Sequence, residues 1–127
     1  MNRPASKPAQ SNHMEIRHEG DLVVLCFPSG RVDGTAVTEL FEAASQLFAG
    51  RGGKVLVDLT GVNYVNSGGV GIMVTLQRRA MTENARLHIA IPSDKVRETF
   101  EVMHLHRVLS IYQTTGEAIA AFGGSRS

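Results

Sequence analysis

Apolar positions along the chain alternate between two kinds of spacing. "LVVLCF", residues 22–27, is a short continuous apolar run stopped by Pro28-Ser29-Gly30, which predicts a strand. Over residues 35–49, Val37, Leu40, Phe41, Ala44, Leu47 and Phe48 recur at helical spacing, and Gly50, Gly52 and Gly53 end that helix. "KVLVDL", residues 54–59, has the nearly unbroken apolar character of a strand covered on both faces. A turn is expected next. Val70, Ile72, Met73, Val74 and Leu76, ahead of Arg78 and Arg79, then predict a helix over 69–81.

"RLHIAI", residues 86–91, predicts another strand, stopped by Pro92. Ser93 is a candidate cap for a helix with Val96, Phe100 and Met103 on one face, and Asp94 suits its first turn. "LSIY", residues 109–112, reads as a last short strand. Thr114 and Glu117 have capping-box spacing and open a helix through Ile119 and Phe122. With an extra strand around residues 14–18, the prediction is an α/β fold. It has a mixed sheet of about four to five strands and about four helices. The Asn66-Ser67-Gly68-Gly69 stretch follows a central strand, where open α/β sheets carry their functional loops.

Composition narrows the function classes. The chain has 127 residues, 43% of them hydrophobic, which fits one domain at 14–127 with its own core. Residues 1–13 hold two prolines and almost no large apolar side chain, and are predicted to be a disordered tail or an expression leader joined at His13-Met14. The formal charge of +1 leaves no electrostatic footprint for direct nucleic-acid binding. No apolar run approaches the ~20 residues of a membrane span, and no secretory signal is present. Cys26 is the only cysteine, so an internal disulfide is excluded; its apolar surroundings predict a buried, inert thiol. The reading is a cytoplasmic domain.

Several chemistries fail on spacing. A triphosphate-binding loop needs Lys followed by Ser or Thr after its last glycine, and Gly71 is followed by Ile72. A nucleophile elbow needs glycine two residues before the serine, where Val65 stands. His104 and His106 form a short pair near a helix end, with no second cluster to complete a metal site. No cofactor and no catalytic residue is expected. What remains is Ser67, read first as an N-cap accepting the amide of Gly69 or Val70. That role leaves Gly68, Gly69 and Gly71 without a reason, since glycine inside a helix costs ~1 kcal/mol relative to alanine. Close approach of a neighbouring backbone or of a partner surface would supply one.

"VLVDLTGVNYVNSGGVGIMVTL" resembles the central motif of the STAS domain family of anti-sigma factor antagonists: an apolar strand, Asp-Leu, a turn, then Asp-Ser-Ser/Thr-Gly-Leu/Ile-Gly opening a helix. "SGRVDG", residues 29–34, resembles the family's earlier Gly-Arg-Leu-Asp turn, and the closing helix, strand and helix are similar as well. Here Asn66 stands for the usual acid and Gly68 for the second hydroxyl residue. The resemblance implies a non-enzymatic protein that binds an anti-sigma factor serine kinase, releases a sigma factor and is switched off by phosphorylation of Ser67. It implies a partner-binding surface of Asp33, Asn66, Ser67, Gly68, Gly69, Val70 and Gly71. Other members of the family act unphosphorylated, as accessory subunits of membrane transporters or signalling complexes. The interface reading also carries an expectation for Gly69→Ala: neutral or slightly stabilising alone, costly in the complex.

Overall fold

The computed structural model describes residues 14–27, 30–48 and 53–124; the expectations for 1–13 lie outside them. Seven strands and four helices follow in the order β1 (Glu15–Glu19), β2 (Leu22–Cys26), β3 (Gly30–Val32), α1 (Gly34–Phe48), β4 (Gly53–Asp58), β5 (Val62–Val65), α2 (Ser67–Thr82), β6 (Ala85–Ala90), α3 (Asp94–Val102), β7 (Ser110–Tyr112) and α4 (Thr115–Gly124). Five strands form one mixed sheet, ordered β1-β2-β4-β6-β7, in which only β1–β2 is antiparallel. The α/β class, the extra strand at the start and the four helices match the expectation.

Alternation along the central strands explains why their sequences read as unbroken apolar runs. Leu25, Val55, Val57, Leu87 and Ile89 join one core with Leu40, Ala44 and Phe48 of α1, Met73 and Leu76 of α2, and Phe100 of α3. Leu22, Val24, Cys26, Leu56 and Ala90 join a second with Ala118 and Phe122 of α4. Both sides of the sheet are therefore dry, as parallel strands require. The helix phases differ slightly from the reading: α4 buries Ala118 while Ile119 is exposed, and Met103 lies past the end of α3, half exposed. Ser93 and Thr114 cap as expected, accepting from the amides of Val96 and Glu117. His104 stands just past the C-terminus of α3, as read: it follows the cap Met103 in a left-handed conformation, φ 61°, ahead of a 3-10 turn at Leu105–Arg107.

The stretch expected to be a turn contains β5, which pairs in parallel with β3 as a separate two-stranded sheet. Neither strand exceeds four residues, and a register shift falls between Gly30 and Arg31, so periodicity had too little length to reveal them. Cys26 is buried as expected; burial, then the Asp58 carboxylate beside it, pushes its thiol up and disfavours the reactive thiolate.

His88 is buried on the α4 side, its ring stacked on Phe122 at 3.7 Å between centroids. Nδ1 lies 2.9 Å from the Ala118 carbonyl oxygen. A carbonyl only accepts, so Nδ1 carries the proton and Nε2 is the titrating nitrogen. Burial pulls the pKa down; the bond to Ala118 opposes this and the charge of Arg86 adds to it. The unfolded chain thus takes up this proton at higher pH than the folded one. Stability is fully present above ~6.5 and falls as the pH drops from there toward the lowered folded value. Urea titrations at pH about 7.5 and about 5 should show wild type losing more stability than His88→Gln, which keeps an N–H donor for Ala118. Equal losses would exclude His88 as the source.

Candidate functional site

The β3–β5 pair positions the site. Its strands run parallel, with Val32 aligned to Val65, and each strand leads directly into a helix. Asp33 therefore opens α1 beside the point where Asn66 opens α2. The Asn66 amide donates to the Val32 carbonyl at 3.2 Å, tying the two helix mouths together, and the Ala36 amide donates to the Asp33 carbonyl at 3.0 Å.

Asn66 is the cap of α2, where the sequence pointed to Ser67. Its backbone is extended, φ −83° and ψ 175°, and its side-chain oxygen accepts the Gly69 amide at 2.8 Å. Asparagine is as good an N-cap as serine, and here it stands one residue earlier. Ser67 becomes the first residue of the helix. Its side chain is exposed and makes no hydrogen bond to the described residues. Removing the cap with Asn66→Ala should cost about 0.5–2 kcal/mol of unfolding free energy, measured by chemical denaturation. A loss below that range would mean the Gly69 amide finds another acceptor.

The remaining predicted positions divide. Gly68 and Gly71 are exposed: a Cβ on Gly68 would meet Asn66 Oδ1 at an ordinary 3.4 Å, and one on Gly71 meets nothing within 4 Å. Gly69 and Val70 are buried. A Cβ on Gly69 would lie 2.8 Å from Val65 Cγ1, 3.0 Å from the Val32 carbonyl oxygen and 3.3 Å from Val32 Cγ1. The backbone that approaches Gly69 is thus the protein's own. This overturns the expectation that alanine there would be harmless to the isolated domain: the glycine lets α2 dock on the β3–β5 pair.

Two exposed neighbours escaped the sequence reading. The Arg31 guanidinium lies 4.1 Å from the centre of the Tyr64 ring, and its Nε donates to Asp33 Oδ2 at 3.0 Å. Arg31 and Tyr64 face each other only because β3 pairs with β5, and β5 had no signal of its own. Together with Ser67 and Gly71 they give this end of the molecule a polar surface around an uncommitted hydroxyl. The hydroxyl stands at a helix N-terminus, where an anion is well tolerated. Among the described residues, no group of three or more His, Cys, Asp or Glu side chains converges on a common point.

A family described as "Mlab, STAS domain" matches residues 16–111. Among solved structures, an anti-sigma-factor antagonist (STAS) domain protein from Planctomyces limnophilus is 25% identical, covering 88% of this chain and 98% of its own, with a TM-score of 0.74. The anti-sigma factor antagonist SpoIIAA in its unphosphorylated form is 22% identical, covering 87% and 96%, with a TM-score of 0.70. The Bacillus cell fate determinant SpoIIAA in its phosphorylated form is 20% identical, covering 86% and 98%, with a TM-score of 0.64. No curated protein sequence matches the chain. The family match spans most of the chain, and the element order, the mixed sheet and the four helices agree with it: this chain belongs to the STAS domain family.

Proposed function

We propose that the protein is a non-enzymatic, cytoplasmic anti-sigma factor antagonist that binds an anti-sigma factor serine kinase and is switched off by phosphorylation of Ser67. One observation carries this reading: Asn66 takes over the capping of α2 and leaves the Ser67 hydroxyl exposed and, among the described residues, unbonded. A serine that held the Gly69 amide would have to give up that bond to react. Fold similarity to anti-sigma factor antagonists supports the same class. Among the described residues, no helix is long and apolar enough to cross a membrane.

The partner-facing surface comprises Asp33, Asn66, Ser67, Gly68 and Gly71, with Arg31 and Tyr64 beside them. Gly69 and Val70 contribute by shaping the helix mouth from within. Incubation with the cognate anti-sigma factor kinase and ATP should place one phosphate on the peptide containing Ser67, and Ser67→Ala should remain unlabelled. Label on another residue would overturn the assignment. Capture of a transporter ATPase, with no labelling by any kinase, would place the protein instead with the family's unphosphorylated accessory subunits.

A further inference from the structure

The edge of the main sheet opposite β1 is incomplete. β6 begins at Ala85, but its pairing with β7 begins only at His88↔Ser110. The Ile91 amide donates to the Tyr112 carbonyl on one side, while the Ala90 carbonyl accepts from Leu59 on the other. Alternation along the strand then directs the Leu87 N–H and the Ala85 C=O toward the β7 side. Val108 would be the next residue of β7, but its amide donates to Leu105 as the chain turns away at 2.9 Å. Among the described residues no backbone bond outside the ladder engages either group, which leaves a donor and an acceptor set as one residue of an added strand would meet them.

A cleft of about 290 Å³ opens at this notch, lined by Gln77 of α2, the start of β6, and Ser110 and Tyr112. Gln77 Oε1 is buried without a hydrogen-bond partner, a state that costs a polar atom roughly 1–3 kcal/mol. The charged groups of the cleft are already engaged. Arg86 donates to the Phe122 and Ala121 carbonyls at 3.1 and 3.3 Å, and His88 is held by Ala118. These groups thus direct hydrogen bonds to the protein's own carbonyls, while the Leu87 N–H, the Ala85 C=O and Gln77 Oε1 offer the donor and acceptors that a peptide main chain can meet.

We propose that this notch binds a neutral extended peptide of a partner, which adds to the β6 edge in line with β7 and supplies a donor to Gln77 Oε1. Two main-chain bonds of this kind make sheet-edge recognition possible with little regard to sequence. The site lies ten residues along α2 from Ser67, ~15 Å away, and does not depend on phosphorylation.

The test is a titration of isotope-labelled protein with the capped pentapeptide acetyl-Thr-Val-Thr-Val-Thr-N-methylamide, followed by amide NMR shifts. Saturable shifts at Leu87, Arg86 and the Gln77 side-chain amide are expected. Gln77→Met should weaken binding at least about threefold, and Ser110→Trp, which fills the notch without touching the β7 main chain, should abolish it. Absence of shifts at Leu87, or equal affinity in Gln77→Met, would overturn the proposal. So would the same shifts produced by inorganic phosphate, which would mark an anion site, or by raising the protein concentration alone, which would mark self-association. No kinase enters this experiment, so its failure leaves the reading of Ser67 untouched.

Discussion

Gly69→Ala is expected to lower the unfolding free energy by about 1–3 kcal/mol, the usual cost of forcing a methyl group into a packed site. The new Cβ would stand 2.8 Å from Val65 Cγ1 and 3.0 Å from the Val32 carbonyl oxygen. Val65 is held in β5, and the Val32 carbonyl is held by the Asn66 amide, so neither neighbour can yield without opening the β3–β5 pair. Gly71→Ala, two residues along the same helix, should do the opposite. Its Cβ meets nothing within 4 Å, and the loss of unfolded-state freedom should stabilise by about 0.4–1 kcal/mol. Urea denaturation of both variants reads the contrast directly. If the two shift stability in the same direction, the packing role assigned to Gly69 is wrong.

Ser67→Asp should weaken binding to the kinase at least about tenfold, which is ~1.4 kcal/mol, while the domain melts within a few degrees of wild type. The fold tolerates the charge because Ser67 is exposed at the N-terminus of α2, whose first turn contains no acid. Under the proposed function the complex should not, because the carboxylate and its hydration would enter a surface shaped around a small hydroxyl flanked by Gly68. Aspartate carries less charge and fewer acceptor oxygens than phosphate, so phosphorylated protein should bind more weakly still. Calorimetric titration with the kinase, alongside thermal melts, checks both halves. Unchanged affinity with a large drop in melting temperature would refute the switch as described, since the charge would then act on the fold and not on the interface.

The order of the main elements was legible in the sequence because burial imposes periods that a single chain displays. β2, β4 and β6 are covered on both faces, so Leu22–Cys26, Val55–Val57 and Leu87–Ala90 appear as apolar runs, and α1 shows its inner stripe at Leu40, Ala44 and Phe48. Ser93 and Thr114 were recognisable as caps because a cap acts over three residues, a range that sequence displays.

The residues of the candidate site were also visible, through the run Asn66-Ser67-Gly68-Gly69 and the family resemblance around it, but their division of labour was not. Asn and Ser stand side by side and both can cap; the extended backbone at residue 66 decides for Asn66, and tertiary pairing of β3 with β5 sets that backbone. Three glycines at 68, 69 and 71 look alike as letters. Of the three, only Gly69 faces Val32 and Val65 of the small sheet. The vacant edge of β6 was equally invisible, since it depends on where β7 stops pairing and not on what β6 contains. Local spacing determines which elements form and where they start. Which glycine is packed, which side chain caps and which hydroxyl stays free are set by contacts between segments distant in the chain, and those exist only once the chain has folded.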